Sequence, residues 1–255
     1  MITGASRGLG AALARHLAAP GVTLHLVARG AAGLEAVGED CAARGALVRS
    51  AALDVRDAVA LAAQLLAWDD ATPLDLVIAN AGVTGGTPTG RGPAGGGLED
   101  WASADRVLGV NLMGAVNTIV PLLPRLVARR AGRLVLVASV AAFRGLPDCP
   151  AYCASKAGLW AYGESLRARL APEGVGVTVA APGFFESGMS AQFRGPHPGK
   201  ISAEAMAERL VRAIRAGRGR AVIPAGVGFG LRLLDLLPAR LADLAVRRFR
   251  FTVGE

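Results

Sequence analysis

Two residues four apart offer the clearest chemistry in the chain. Tyr152 and Lys156 lie in the stretch Tyr152-Cys153-Ala154-Ser155-Lys156, and that spacing sets both side chains on one face of a helix. A phenol titrates near pH 10 and is a poor base at neutrality. A fixed ammonium beside it favours the phenolate, which suits acid–base work on an alcohol or a carbonyl. Such pairs also arise by chance on solvated helices. Composition adds weight, because the chain carries 26 Arg but only 2 Lys, and only 2 Tyr. Where positive charge alone was wanted, Arg is the expected choice; a compact ammonium on a flexible stem is a different requirement.

A second group sits at the start. Thr3-Gly4-Ala5-Ser6-Arg7-Gly8-Leu9-Gly10 follows a short apolar strand and opens a helix. Glycines there let the backbone turn tightly and approach a pyrophosphate, and the helix start offers free N–H groups. The plain alternative is an ordinary strand–helix turn. About twenty residues on, a nucleotide with a free ribose 2′-hydroxyl calls for an acid and a 2′-phosphate calls for an Arg. The second strand ends Leu26-Val27-Ala28-Arg29, and the next acid is Glu35. Arg29 is suited to a bidentate pair with a 2′-phosphate, with Arg7 as a second cation, so NADP(H) is expected over NAD(H). A solvated arginine at a strand end is the alternative reading.

The elements that must hold these groups alternate along the chain. Strands are expected at Val22–Ala28, Ala46–Ala52, Leu74–Ala79, Arg133–Ser139, Val175–Ala180 and Ala221–Pro224. Helices are expected near 8–19, 31–44, 57–70, 99–129 and 150–170. The alternation predicts an α/β fold: a Rossmann-like, doubly wound parallel sheet with helices on both faces. The strands read as nearly continuous apolar runs, as strands covered on both sides do. With 255 residues and no long linker, residues 1–255 read as a single dinucleotide-binding domain with an amphipathic helical segment at about 227–251. The first strand has only Met1 and Ile2 before Thr3, so part of it is expected to lie upstream.

Composition closes off other classes. Hydrophobic residues make up 52% and charged residues 19%, the reverse of a disordered chain. Mean hydropathy is +0.40, yet no uncharged apolar run of 18 residues occurs, so no membrane-spanning helix is expected. Nor does the N-terminus read as a signal peptide. Three cysteines, Cys41, Cys149 and Cys153, do not make a disulfide framework and fit a reducing cytoplasm. The net charge of +8 comes from scattered arginines, and with 5% aromatics no nucleic-acid binding is expected. Three histidines and the Cys149/Cys153 pair give no metal centre. His16 and His25 read as structural, and His197 as a solvated loop residue. Thr84–Gly97 is half glycine and reads as a surface loop, either a tolerated insertion or a lid. The stretch Val227–Phe251 interleaves Leu231, Leu234, Leu237, Leu241 and Leu244 with arginines and is broken by Pro238. It fits packing over a substrate entrance or a second subunit, or peripheral contact with an anionic membrane.

Taken together these motifs resemble the short-chain dehydrogenase/reductase family over almost the whole chain. The turn Thr3–Gly10 has its TGxxxGxG form and Tyr152/Lys156 its YxxxK form. Asp54-Val55 resembles the pair that contacts the adenine, and Asn80-Ala81-Gly82 the motif that supports the sheet beside the cofactor. Asn111 matches an Asn that binds a relay water, Ser139 the catalytic Ser, and Pro182-Gly183 with Ser187 the segment near the nicotinamide amide. The resemblance implies hydride transfer between NADP(H) and a carbonyl or alcohol carbon of a small molecule. Ser139 would hold the substrate oxygen, Tyr152 would exchange the proton, Lys156 would lower the Tyr pKa and hold the ribose, and Asn111 would keep the water. It also implies a pocket closed by Phe184–Phe193 and Val140–Leu146, apolar enough for an apolar substrate unless some of these aromatics merely pack against the body, and a homodimer or homotetramer built on the long helices. Two further readings stay open: a catalytically idle cofactor-binding sensor or scaffold, and a membrane-associated lipid-processing reductase. A panel of ketones separates the idle protein from the enzyme.

Overall fold

The computed structural model describes residues 1–85, 99–186, 188–191, 193–194, 199–246 and 252–253, with backbone only at 189, 191, 193, 194, 252 and 253. The expected loop therefore lies mostly outside the described residues, as do Ser187 and His197. Strands β1 (Ile2–Thr3), β2 (Thr23–Ala28), β3 (Leu47–Ala52), β4 (Leu76–Ala79), β5 (Arg133–Val137) and β6 (Gly176–Pro182) are followed by two outside this run, β7 (Phe193–Arg194) and β8 (Arg220–Ile223). Seven of these form one all-parallel sheet in the order β3-β2-β1-β4-β5-β6-β8. A short antiparallel pair joins β7 to β9 (Thr252–Val253).

Side chains alternate between two cores along each central strand. Val77, Ala79, Leu134, Leu136, Val177 and Val179 face one core, while Ile78, Val135, Val137 and Ala180 face the other. Both faces are apolar, which is why these strands read as unbroken apolar runs. On the first face lie α3 (Ala58–Ala71), the helical run from α4 (Trp101–Leu108) through α5 (Gly114–Ile119) to α6 (Leu123–Ala128), and α7 (Pro150–Leu170). On the second lie α1 (Gly8–Leu17) and α2 (Ala31–Ala42). The run Trp101–Ala128 is long and apolar enough to cross a membrane by length and composition, although it holds charges. Here Val107, Val110, Ile119, Leu122 and Leu126 lie in the first core. The run is bent by a π turn at Gly109–Met113 and a 3₁₀ turn at Val120–Leu122.

Two helices follow β6 that sequence periodicity did not separate: the short α8 (Gly188–Ala191) and α9 (Ala203–Arg215). The second is strongly amphipathic. Ala203, Met206, Ala207, Leu210, Val211 and Ile214 are buried against α1, and Ser202 Oγ caps its start by accepting from Ala205 N–H at 3.1 Å. The signal was present as apolar spacing at i, i+3, i+4 after a Ser, obscured by the arginines on its outer face. Pro238 divides the C-terminal segment as expected, into α10 (Ala225–Leu234) and α11 (Ala239–Val246).

The sheet order sets the position of the cleft. From β1 the chain crosses outward to β2 and β3, then returns to β4 on the opposite side of β1. Two crossovers leaving in opposite directions open a crevice at the carboxyl ends of the adjacent strands. Buried polar groups close the seam below it. Thr3 Oγ1 accepts from Asn80 N–H at 3.1 Å and Ala81 N–H at 3.2 Å, and Asn80 Nδ2 donates to Thr3 O at 3.0 Å.

Candidate active site

A cleft of about 470 Å³ lies over this seam. The segment Gly4–Gly10 forms its floor at one end. Gly4 has φ +67°, a left-handed conformation that disfavours any side chain. At Gly10 a Cβ would stand 2.2 Å from Gly4 O, so only hydrogen lets the turn fold against the helix start. Arg7, the residue before α1, provides no side-chain cap for the first turn. The result is an uncapped helix start behind a backbone cradle, which fits a dinucleotide pyrophosphate.

At the far end of β2, Arg29 and Gly30 line the same cleft, and Arg7 lines it from the glycine turn. Both arginines are exposed, and among the described residues neither is ion-paired. Asp54 and Val55 line the wall after β3. Hydrogen bonds from Arg56 hold the Asp54 carboxyl below the usual carboxylate range; Arg56 Nη2 donates to Oδ2 at 3.0 Å and the Arg56 N–H to Oδ1 at 2.9 Å. Arg56, two residues beyond the expected pair, was not singled out from sequence. Ala81 and Gly82 line the middle of the cleft. Pro182, Gly183 and Phe185 line it after β6, where Gly183 N–H donates to Ile223 O at 2.7 Å.

Ser139, Tyr152 and Lys156 meet at the other end. Ser139 ends the chain leaving β5 and caps the 3₁₀ turn Val140–Ala142, accepting from Ala141 N–H at 3.1 Å. Ser139 beside the Tyr152 hydroxyl favours the phenolate. Burial outweighs it and pushes the phenol up to about 12. Lys156 does not produce the lowering expected from its spacing: its Nζ stands 5.9 Å from the ring centroid of Tyr152. The amine is buried and donates to Val137 O at 2.9 Å. Burial pulls it down to about 8. Desolvation thus acts on both groups in the direction of neutrality.

Two expected residues, Thr3 and Asn111, stand behind the cleft rather than on it, and the side chain of a third, Asn80, bonds into the seam below. Thr3 is buried in the β1/β4 seam and is not part of the lining. The side chain of Asn80 binds that same seam, although the residue borders the cleft. Asn111, in the π turn, is fully buried. Its Oδ1 accepts from Val83 N–H at 2.7 Å, and its Nδ2 donates to Val83 O at 3.0 Å and Ser155 Oγ at 3.1 Å. The Asn111 amide braces the chain after β4 against α7. Ser155 completes the brace by donating to Tyr152 O at 2.7 Å; sequence reading passed over it because serine in a helix carries no distinctive signal.

The substrate-side aromatics divide. Phe185 lines the cleft, whereas Phe143 packs edge-on against Trp160 at 4.8 Å in the core. His25 is buried on β2 against Trp68, and burial pushes its imidazole down to about 4, consistent with the structural reading. Among the described residues no group of three or more His, Cys, Asp and Glu could hold a metal ion.

Residues 1–197 match the short chain dehydrogenase family. An oxidoreductase of Myxococcus xanthus (strain DK1622) is 38% identical over 251 residues, covering 98% of this chain and 96% of that protein. A short chain dehydrogenase/reductase from Burkholderia phymatum, solved in complex with NAD, superposes with a TM-score of 0.80 over 97% of this chain and 94% of its own, at 24% identity, a likeness of fold. A metagenomic short-chain oxidoreductase solved in complex with NADP reaches a TM-score of 0.70 at 28% identity, over 87% of this chain and 92% of its own. With its seven-stranded parallel sheet, its glycine cradle and a match over most of its length, the chain belongs to the short-chain dehydrogenase/reductase family of oxidoreductases.

Proposed function

We propose that the chain is an NADPH-dependent reductase of a carbonyl group in a small, predominantly apolar molecule, acting as one dinucleotide-binding domain. The observation that carries this reading is the meeting of Ser139, Tyr152 and Lys156 at one end of the cleft whose other end is the glycine cradle. Arg7 and Arg29, exposed and free of ion pairs among the described residues, support a 2′-phosphate over a bare ribose. Backbone N–H groups at Gly8–Gly10 would hold the pyrophosphate, and Asp54 and Val55 would border the adenosine side, with Gly82 nearer Lys156. Ser187, near the expected amide position, lies outside the described residues. When bound, the nicotinamide cofactor supplies the hydride.

The protein's part is proton supply and positioning. Ser139 donates a hydrogen bond to the substrate oxygen. Tyr152, with its phenol near 12, stays protonated at neutral pH and gives its proton to the oxygen as that atom becomes an alkoxide. This protonation state favours the reductive direction. Lys156 keeps a proton at Nζ close to the ring and replenishes the phenol after turnover. Asn111, Thr3 and Asn80 act as positioning residues that fix the cleft walls. The apolar wall at Phe185, Val110 and Val137 supports a substrate oriented by few polar contacts.

A surface observation favours a peripheral membrane contact as well. Phe229, Leu233, Leu236, Leu237, Leu241 and Leu244 are exposed along α10 and α11. Both acids of that segment, Asp235 and Asp243, are paired with Arg144, at 3.2 and 2.6 Å, which leaves Arg240 uncompensated toward an anionic lipid surface. The exposed Trp101, Leu108, Met113 and Val120 on the long helical run support a homodimer or homotetramer.

Absorbance of NADPH over a panel of ketones and aldehydes reads the activity directly; no oxidation with any of them refutes the enzyme and favours the idle cofactor-binding protein. Tyr152→Phe is expected to lower turnover by roughly 10²–10⁴-fold while NADPH still binds; near-normal turnover refutes the acid role. Arg29→Asp is expected to cut the kinetic preference for NADPH over NADH by about 10- to 100-fold, and an unchanged preference refutes the phosphate contact. Co-sedimentation with phosphatidylserine vesicles is expected for the native chain and not for the pair Leu236→Glu and Leu244→Glu. Equal sedimentation of both refutes the lipid face, and a monomer at micromolar concentration in equilibrium sedimentation refutes the oligomer.

A further inference from the structure

The proposed mechanism leaves unused two thiols that flank its acid. Cys149 is the residue before α7 and Cys153 lies one turn in, with Cys153 N–H donating to Cys149 O at 3.0 Å. Their sulfurs are 3.9 Å apart, and both side chains are buried. With Ala141, Leu146 and Tyr152 they form a small cluster of their own, separate from the two main cores. Leu146 N–H donates to Cys153 Sγ at 3.3 Å. The cluster thus joins the segment after Ser139 to the turn that carries Tyr152.

The pair does not have the surroundings of a metal site, since no third ligand residue joins it among the described residues. Nor is it inert filling. Two sulfurs in contact at i and i+4 are close to the reach of a disulfide, whose Cα atoms stand about 4.4–6.8 Å apart. Cys149 has φ −148° and ψ 60°, outside helical geometry, so its end of the span is free to adjust without unwinding an interior turn. Contact with Cys153, and then burial, raise the Cys149 thiol, whereas the contact with Cys149 and the hydrogen bond from Leu146 N–H lower that of Cys153. The two thiols are thereby differentiated into an attacking and a resolving partner.

We propose that Cys149 and Cys153 are an oxidation site, a dithiol that a hydroperoxide closes to a disulfide, drawing Tyr152 off its working position beside Ser139. In the first step the Cys153 sulfur attacks the peroxide. An S–O bond forms as the O–O bond breaks; Cys153 becomes a sulfenic acid, and the leaving oxygen departs as water from hydrogen peroxide. In the second step the Cys149 sulfur attacks Cys153. An S–S bond forms as the S–O bond breaks, and the Cys149 proton leaves with the hydroxyl as a second water. Two thiols lose two electrons and the peroxide gains two.

Closing the sulfurs from 3.9 Å to bonding distance, about 2.05 Å, tightens the first turn of α7. Tyr152 is in that turn and next to one of the sulfurs, so its hydroxyl moves relative to Ser139, which sits on β5 and its outgoing turn. A misplacement of about 1 Å at a reacting group costs roughly 10²-fold in rate.

The activity arm of the test rests on the carbonyl-reductase reading, and two other arms do not. The full-length chain is treated with hydrogen peroxide, digested without reduction and mapped by mass. The expected product is a peptide carrying a Cys149–Cys153 bond, two hydrogens lighter than the reduced form and reversed by dithiothreitol. In a Tyr162→Phe background the ultraviolet titration of Tyr152 is expected to shift on oxidation. Turnover is expected to fall by about 10²-fold and to return on reduction. Cys149→Ser, which supplies a strong helix cap, is expected to keep turnover and lose the response, and Cys41→Ser to keep both. A sulfinic acid at Cys153 with no linked peptide overturns the proposal. So does a linked peptide that leaves the Tyr152 titration unchanged, or a peroxide loss that persists reversibly in Cys149→Ser. Failure of the reduced chain on every carbonyl, with the peptide and the titration shift intact, counts against the enzyme reading and not against the dithiol.

Discussion

The head of the cleft depends on an amine kept out of water. Lys156 is buried, and its Nζ donates to the carbonyl of Val137. Moving its pKa from 10.5 to about 8 corresponds to roughly 3 kcal/mol of disfavoured charge at neutral pH. A methionine or leucine there would carry no such cost. The amine stands 5.9 Å from the centroid of the Tyr152 ring. Burial acts on the phenol too, and keeps it protonated far above neutrality. The acid of the proposed reaction is therefore prepared by desolvation, with Ser139 beside it.

Around that point the polar groups are divided into those that face the cleft and those that hold its walls. Thr3 and Asn80 tie β1 to β4 directly beneath the crevice. Asn111 uses both ends of its amide on Val83 and adds a bond to Ser155, which in turn holds the Tyr152 carbonyl. Hydrogen bonds thus link β1, which precedes the glycine cradle, through the chain leaving β4 to the helix that carries Tyr152. Such networks rigidify when every member is satisfied. Here they fix the distance between the cofactor-facing and substrate-facing ends of one cleft.

Much of this was legible in the sequence because it rests on local rules. The i, i+4 spacing of Tyr152 and Lys156, the glycines at 4, 8 and 10, and Arg29 at the end of β2 all appear on the cleft. The doubly wound sheet followed from alternating apolar runs, and Pro238 did divide the last helical segment. What could not be read depends on contacts distant in sequence. The bracing roles of Thr3, Asn111 and Ser155 require knowing which backbone groups come near, and residues 3 and 80 are separated by three crossovers, through α1, α2 and α3. Spacing left Phe143 open between the pocket and the body, and Trp160 offers it an edge-on partner in the core. The sign of the Tyr152 shift also escaped, because spacing reveals the neighbouring amine but neither its 5.9 Å distance from the ring centroid nor the burial that raises the phenol. Helix α9 was hidden by arginines on its outer face although its inner face is regular.

The most direct test of this account compares the native chain with Lys156→Met in urea unfolding across pH, together with turnover. In the native chain the folded pKa of about 8 lies below the unfolded value of 10.5, so the unfolded state binds more protons between them. The penalty is full below pH 8 and fades as pH rises to 10.5. After allowing for the lost hydrogen bond to Val137 O, Lys156→Met is expected to be more stable than the native chain by about 2 kcal/mol at pH 7. That gap is expected to close by about pH 10.5, and carbonyl reduction by the variant to be lost. A native chain that is the more stable at pH 7, with a difference insensitive to pH, or a variant with undiminished turnover, contradicts the account.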